Sequence, residues 1–179
     1  MLAELSDHIM DIAMNSVRAG AQHISISVVA LPSRGSLSIA IGDDGVGMDE
    51  ETLRLVSDPF YSTKTGKEVG LGVSLLKGAT EICDGEFYIT SMPGKGTEVE
   101  ATFPVDHPDV PPLGNLKDTF LLLCVTNPEV RFSFRFCTDG KDFRMDTKQI
   151  NDILEGLPIS DPEVVTFLSG YLEEQIQAG

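Results

Sequence analysis

Residues 42–48, GDDGVGM, directly follow an alternating apolar run at 37–41 that is typical of a half-buried strand. An aspartate at the end of a strand can accept a hydrogen bond from an exocyclic amine, and nearby glycines let a flat ring approach the backbone. Asp and Gly are also the residues of ordinary tight turns. From these residues alone, Asp43, Gly45 and Gly47 form either a turn or one wall of a binding site.

A second glycine-rich stretch, GKEVGLG at residues 66–72, precedes a predicted helix from about Val73 to Cys83. Backbone N–H groups at a helix N-terminus, together with the helix dipole, form a site for anions. Lys64 and Lys67 supply positive charge there. The stretch does not have the spacing of a Walker A loop, so it indicates an anion-binding loop of another kind.

The first helix is predicted to be capped by Ser6, to run to about Ala19 and to stop at Gly20. Asp11 and Asn15 lie one turn apart on the same face of this helix. An Asn carbonyl oxygen is a ligand that Mg²⁺ accepts, and a carboxylate beside it can take a proton from a hydroxyl. The same spacing is also typical of a solvated helix face.

The hydrophobic pattern alternates helices with pairs of strands. This order favours an α+β fold, a two-layer α/β sandwich, over a parallel doubly wound sheet. Ile82 is expected on the buried side of the third helix. The predicted elements after the first helix are strands at 24–28 and 37–41, helices at 49–56 and 73–83, and a hairpin over 87–103.

A proline-rich stretch divides the chain. Residues 106–115 are interpreted as a stiff linker between an N-terminal domain, residues 1–105, and a small αβ C-terminal module, residues 116–179. The predicted elements of the module are paired strands at 120–125 and 130–136, a short strand at 143–145, and helices at 147–154 and 162–176.

The charge balance excludes several classes of protein. Lys and Arg number 13 against 28 Asp and Glu, which gives a net charge of −15. Such a surface repels duplex nucleic acid and anionic lipid, so neither is an expected partner. No apolar run is long enough to span a membrane, and the N-terminus does not have the pattern of a secretory signal. Cys83, Cys124 and Cys137 are interpreted as free thiols, and the expected location is the cytoplasm.

Five stretches occur in a fixed order within the first 105 residues. They are DIAMNSVRAGA at 11–21, DDGVGM at 43–48, DPFYSTK at 58–64, GLGVSLLK at 70–77 and GKGTEVEATFP at 94–104. Together they resemble the GHKL family of ATP-binding domains, which includes histidine kinases, gyrase, heat-shock chaperones and MutL. The resemblance implies the Bergerat-type fold of that family, in which helices cover a mixed sheet, and the cofactors ATP and Mg²⁺.

The resemblance also implies roles for individual residues. Asn15 is expected to ligate Mg²⁺, and Asp11 stands where several relatives carry a catalytic carboxylate. Asp43 would accept the adenine amine. The other residues expected to bind the nucleotide are Gly45 and Gly47 in the base pocket, Lys64, Gly70, Leu71 and Gly72 in a lid over the phosphates, and Thr97 at the adenine end.

Two functions remain open from the sequence. One is an enzyme, either a stand-alone histidine-kinase-like protein kinase that phosphorylates a separate protein or a slow ATPase. The alternative is a non-catalytic switch that changes a protein-binding surface when ATP binds. Glu68 favours the switch, because histidine kinases usually carry a glycine there. A structural protein with an inactive pocket is disfavoured, because Asn15, Asp43 and the glycines are intact.

Overall fold

A computed structural model describes residues 4–58 and 71–176 of the chain. Within these ranges six strands form one sheet, and helices precede, connect and follow them. The elements are α1 (Leu5–Arg18), β1 (His23–Leu31), a 3-10 turn (Pro32–Arg34), β2 (Ser36–Asp43), α2 (Glu50–Val56), α3 (Gly72–Ile82), β3 (Glu86–Met92), β4 (Gly96–Pro104), α4 (Leu116–Thr126), β5 (Arg131–Thr138), β6 (Lys141–Asp146), α5 (Thr147–Leu154) and α6 (Pro162–Ile176).

The strand order in the sheet is β3-β4-β2-β1-β5-β6. Neighbouring strands are antiparallel except β1 and β5, which are parallel. The register places apolar side chains side by side, with Ile26 opposite Ile41 and Phe134, and Ile41 opposite Val99. Because side chains alternate along a strand, this register gives the sheet one continuous apolar face.

Helices cover that apolar face and leave the other face polar. Residues of α1, α3, α4 and α6 share one hydrophobic cluster with the inward side chains of the strands. The alternate strand positions carry small polar or charged side chains such as Ser25, Ser38 and Glu100, which are half-buried or exposed. The predicted α+β two-layer sandwich is therefore confirmed.

Strands β5 and β6 extend the sheet that the first 105 residues begin. Phe120 of α4 stacks on Phe134 with ring centroids 4.3 Å apart, and Phe134 stacks on Phe132. Residues 106–115 contain no helix or strand, but the carbonyl of Pro112 accepts a hydrogen bond from the N–H of Leu5. The proposed division into two domains stays a prediction, while both the sheet and the core continue across it.

The predicted strand at 120–125 is wrong, because these residues belong to α4. Asn115 caps this helix by accepting a hydrogen bond from the Asp118 N–H at 3.0 Å. Leu116, Phe120 and Leu123 recur at helical spacing and are fully buried. A short apolar run does not distinguish a buried strand from a buried helix, which is why the pattern misled the prediction. The expected strand at 130–136 is present as part of β5.

Two smaller predictions about helices are also wrong. Ser6 does not cap α1, because the N-cap position is Glu4, and the Ser6 hydroxyl donates to the Glu4 carboxylate from inside the helix. Ile82 is 66% exposed, and Cys83, the next residue, is buried instead. The predicted stop of α1 at Gly20 is confirmed by its positive φ of 72°.

The three cysteines are free thiols, as expected. Burial raises the pKa of Cys124 to about 12, so this thiol stays protonated and unreactive at neutral pH. Among the described residues, no helix combines the length and the apolar character that crossing a membrane requires.

Ending the chain after residue 115 should abolish stable folding. The truncation removes β5, the parallel partner of β1, and the phenylalanines that complete the core. Losing one large buried side chain costs about 2–5 kcal/mol, against a total stability of about 5–15 kcal/mol. Urea unfolding followed by circular dichroism should show a cooperative transition for the full chain and none for the fragment. A cooperative transition in the fragment would support the predicted domain boundary instead.

Replacing His8 with leucine should change how stability depends on pH. His8 is 2% exposed, and its Nδ1 has no hydrogen-bond partner. Burial lowers its pKa from 6.5, against the opposing effect of Asp7 and Asp11. As the pH falls below 6.5, His8 becomes protonated in the unfolded chain but stays neutral in the folded one. The free energy of unfolding therefore falls by at most about 1.4 kcal/mol per pH unit. Urea unfolding between pH 8 and 5 should show a flatter profile for His8→Leu, and parallel profiles would contradict this account.

Candidate functional site

A cavity of about 260 Å³ lies between α1 and the adjoining ends of β2 and β4. Its volume is close to the lower end of small-molecule sites, about 300–1,000 Å³, and it combines apolar walls with a few polar groups. Four of the residues predicted from the sequence line it. The lining residues are Ile12, Asn15, Ser16, Arg18, Ala19, Ile41, Asp43, Gly47, Met48, Val56, Val73, Thr97 and Val99.

The Asp43 carboxylate is held from two sides at the end of β2. Its Oδ2 accepts a hydrogen bond from the Ser16 hydroxyl of α1 at 2.6 Å, and its Oδ1 accepts one from the Gly45 N–H at 2.9 Å. A carboxylate has about four acceptor positions, so both oxygens can accept a further bond from a ligand. The side chain is therefore a fixed acceptor in the wall of the cavity.

The glycines after Asp43 let the chain pass through a narrow space. Gly45 lies behind the cavity wall, where a side chain would come within 2.9 Å of the Ala19 carbonyl. Gly47 has a φ of 67°, and a Cβ there would lie 1.9 Å from the Met92 carbonyl oxygen. The loop between them is fixed at Val46, whose N–H donates to the Ala19 carbonyl at 3.0 Å. Both glycines therefore shape the site, although only Gly47 lines it.

Asp44 does not line the cavity, and it fixes the start of β1. Its Oδ1 accepts hydrogen bonds from the backbone N–H groups of His23, at 2.9 Å, and Gln22, at 2.8 Å. The bond from His23, helped by that from Gln22, lowers the pKa of Asp44 from 3.8 against a smaller effect of desolvation. The two adjacent aspartates therefore have different partners, and only Asp43 faces the cavity.

Asn15 is paired with an arginine that the sequence analysis did not assign. Arg18 lines the cavity and donates from Nη1 to Asn15 Oδ1 at 3.0 Å. The separation of three residues on a helix could have indicated this contact. Within residues 4–58 and 71–176, no three His, Cys, Asp or Glu side chains form a metal-binding group. A metal ion at Asn15 would therefore need most of its ligands from a bound molecule and water.

Asp11 lies outside the cavity lining, against the start of α3. A Cβ on Gly72 would lie 2.6 Å from Asp11 Oδ2, so only glycine permits this approach. Leu71 occupies the N-cap position of α3, and its side chain gives no capping hydrogen bond. The first N–H groups of a helix have no intrahelical acceptor and attract negative charge. The Asp11 carboxylate thus lies at the end of α3 that favours anions.

Part of the predicted site lies outside the described residues. This part comprises Lys64, Lys67, Glu68 and Gly70. The predicted roles of Lys64 and Gly70 in a lid over the phosphates stay predictions, as do the positive charge assigned to Lys67 and the argument drawn from Glu68.

Thr97 is fixed by a serine that the sequence analysis missed. The register places Thr97 of β4 opposite both Asp43 and Ser91. The Thr97 and Ser91 hydroxyls lie 2.9 Å apart, and Ser91 also accepts from the Met48 N–H at 2.8 Å and donates to the Gly96 carbonyl at 2.9 Å. Cross-strand pairs of hydroxyl residues are common in hairpins, and that pattern could have identified Ser91.

The fold and the cavity define an α+β protein with a small-molecule site between a helix and a mixed sheet. The family described as histidine kinase-, DNA gyrase B-, and HSP90-like ATPase matches residues 1–107, more than half of the chain. The chain therefore belongs to this ATPase family, and the family resemblance noted in the sequence is confirmed.

Relatives with similar sequences include bacterial kinases. The chain is 35% identical over 83 residues to sporulation kinase E of Bacillus subtilis, covering 46% of this chain and 11% of that protein. It is 28% identical over 102 residues to the sensor histidine kinase ZraS of Escherichia coli, covering 57% and 22%. It is 33% identical over 97 residues to the non-motile and phage-resistance protein of Caulobacter vibrioides, covering 51% and 12%. The chain spans less than a quarter of the length of each.

Two solved structures resemble the fold over most of the chain. The N-terminal domain of a DNA repair protein has a TM-score of 0.56 at 16% identity, covering 81% of this chain and 52% of that one. The Aquifex aeolicus MutL ATPase domain, solved with ADP, has a TM-score of 0.51 at 16% identity, covering 87% and 70%. At this identity the likeness concerns the fold alone, and it extends beyond residue 107.

Replacing Gly47 with alanine should destabilise the chain more than the same change at Gly94. Both glycines have positive φ, which costs about 1–2 kcal/mol for another residue. A Cβ at Gly94 meets nothing within 4 Å, whereas one at Gly47 meets the Met92 carbonyl. The free energy of unfolding, measured in urea, should therefore fall further for Gly47→Ala. Equal losses would show that the loop moves aside without strain.

Proposed function

We propose that the chain binds ATP with Mg²⁺ in this cavity and either transfers the γ-phosphoryl group to a separate protein or hydrolyses the nucleotide. The Asp43 carboxylate carries the proposal, because Ser16 and Gly45 hold it as a directed acceptor in the cavity wall. Membership of an ATPase family and similarity to bacterial histidine kinases support the same function.

Adenine would occupy the apolar part of the cavity. Its exocyclic amine would donate to Asp43, and Ile41, Met48 and Val99 would contact the ring. Thr97, oriented by Ser91, lies beside Asp43 in the strand register and would hold the same edge of the base through water. Guanine presents a carbonyl oxygen at the position of the adenine amine. A site built around a fixed acceptor should therefore reject GTP.

The phosphates would lie toward Asn15, Arg18 and the start of α3. Asn15 Oδ1 suits Mg²⁺, which accepts a single protein oxygen when phosphates and water complete its coordination. When bound, the ion would neutralise charge on the phosphate oxygens. Arg18 occupies one of the two acceptor positions of Asn15 Oδ1, so the second position stays available to the ion, and a bound phosphate would compete with Asn15 for the arginine. The guanidinium could in this way bind a phosphate oxygen.

Asp11 would act as the general base. Its carboxylate lies against Gly72 at the start of α3, close to where an anion would be attracted. There it could accept the proton of a water molecule or of a substrate side chain as that group attacks the γ-phosphorus. The bond to the β–γ bridging oxygen would break, and ADP would leave. Lys64, Gly70, Leu71 and Gly72 would form the proposed phosphate lid.

Two aspartate variants should separate binding from turnover. Asp43→Asn replaces an acceptor with a donor that faces the amine, so it should weaken ATP binding at least about tenfold, or about 1.4 kcal/mol. Asp11→Asn should leave the affinity within a few-fold and lower turnover by about 10²–10⁴. Calorimetry with Mg²⁺ and ATP measures the affinity. ATP labelled in the γ-phosphate shows whether phosphate reaches water or an added protein.

Asp44→Asn is the matched control, because it removes the adjacent carboxylate, which binds the backbone outside the cavity. It should bind ATP as the wild type does. Unchanged ATP affinity in Asp43→Asn would contradict the proposed site. Unchanged turnover in Asp11→Asn would remove Asp11 from the mechanism while leaving the binding site intact.

A further inference from the structure

Helices α5 and α6 form an apolar groove on a part of the chain that the nucleotide cavity does not use. The groove has a volume of about 280 Å³, and none of its lining residues lines that cavity. Ile153 of α5 is 79% exposed and Phe167 of α6 is 70% exposed, and Leu157 and Tyr171 are exposed beside them. Single exposed apolar residues are common, but a grouped set of this kind is typical of an interaction surface.

The two helices are amphipathic in a way that leaves one stripe uncovered. On α6, Val164 and Leu168 are buried in the core, whereas Phe167 and Tyr171 point outward. The rings of Phe167 and Tyr171 stack with centroids 6.3 Å apart, and Tyr171 packs edge-on against Phe143 at 5.8 Å. These contacts fix the exposed rings before any partner arrives, which reduces the entropy lost on binding.

Four carboxylates on α5 and α6 or directly after α5, which we call the rim, carry negative charge near the groove. Asp152 lies in α5 and Glu155 directly follows it, and Glu163 and Glu174 lie one turn before Phe167 and one turn after Tyr171. None of these four carboxylates has an ion-pair partner among the residues that the structure describes.

The charged groups that line the groove itself are already paired. Asp146 bonds to Arg131 at 2.6 Å, and Arg144 bonds to Asp142 at 3.2 Å, although Asp142 also bonds to Arg135 at 2.9 Å. Because two arginines share Asp142, one positive charge remains beside the groove, and Lys148 of α5 adds a second, but the four unpaired carboxylates outnumber them.

We propose that this groove binds an amphipathic helix of another protein, with apolar side chains in the groove and lysines or arginines against the rim. Helices commonly bind in this way when apolar side chains recur at every third or fourth position. Basic flanks would be attracted by the rim, which accelerates association and orients the helix.

The negative charge near the groove disfavours two other occupants, a second copy of the chain and an anionic membrane. In a symmetric contact with a second copy the same surface meets itself, so the rim carboxylates of two chains, each with a net charge of −15, would face one another. An anionic membrane would meet the same repulsion. A basic amphipathic helix would place apolar side chains against the apolar stripe and positive charges near the rim carboxylates.

The test uses defined peptides and does not depend on nucleotide binding. A labelled helical peptide of about 18 residues, with leucine on one face and lysine elsewhere, is titrated with the full chain, and fluorescence anisotropy measures binding. The same pattern with glutamate for lysine, and a scrambled leucine–lysine peptide, serve as comparisons. Both should bind at least about tenfold more weakly than the patterned basic peptide.

Groove variants locate the binding surface. Phe167→Ser and Ile153→Ser should each weaken binding of the patterned basic peptide at least about tenfold. Ile82→Ser is the matched control, because Ile82 is equally exposed but lies on α3. A double variant, Glu163→Gln with Glu174→Gln, should weaken binding and reduce its dependence on salt. Circular dichroism confirms that each variant is folded.

Three results would overturn the proposal. The first is equal binding of the patterned and scrambled peptides, or no binding of either. The second is unchanged binding by folded Phe167→Ser and Ile153→Ser. The third is a change of occupant. A wild-type dimer in light scattering that Ile153→Ser dissociates would assign the groove to a second copy of the chain. Binding to phosphatidylserine vesicles that the same variant abolishes would assign it to a membrane.

Discussion

The hydrogen bond from Ser16 to Asp43 joins the two layers of the fold where the cavity forms. Ser16 belongs to α1, and Asp43 is the last residue of β2. Together with the packing of Ile9, Ile12 and Ala13 in the core, this bond fixes the face of α1 that carries Asn15 and Arg18. The N–H of Val46 reaches the end of the same helix at Ala19, so helix, strand and loop hold one another in place. The cavity therefore depends on the packing of the whole core and not only on its lining residues.

The local hydrophobic pattern of the sequence predicted most of the helices and strands. It failed where contacts between distant segments decide the structure. The strands around Ile26, Ile41 and Val99 were predictable because each alternates apolar and polar side chains. The apolar run at Phe120 carries no such alternation, and its helical spacing and the Asn115 cap do not by themselves exclude a buried strand. The parallel pairing of β1 with β5 was also outside the reach of the sequence, because the two strands lie on opposite sides of the proline-rich stretch.

The same distinction explains which site residues could be predicted. Asn15, Asp43, Gly47 and Thr97 belong to the short sequence motifs that carry the family resemblance, and the structure brings all four to one cavity. Ser16, Arg18 and Ser91 act by holding other side chains. The contact of Ser16 with Asp43 appears only when separate elements come together, whereas helix spacing and hairpin pairing could have indicated those of Arg18 and Ser91. Asp11 was chosen for its spacing from Asn15, yet its surroundings are set by the start of α3.

The position of β1 inside the sheet has a consequence for synthesis on the ribosome. Its neighbour β2 emerges almost at once, but β5 is made only after the proline-rich stretch and α4. Until then the edge of β1 that later pairs with β5 is exposed in the nascent polypeptide. The apolar surface that the phenylalanines of α4 and β5 later cover is exposed beside it, and this combination favours aggregation. Late pairing of distant segments also slows folding. Cells that produce this protein should therefore keep the growing chain shielded by chaperones until its final third has left the exit tunnel.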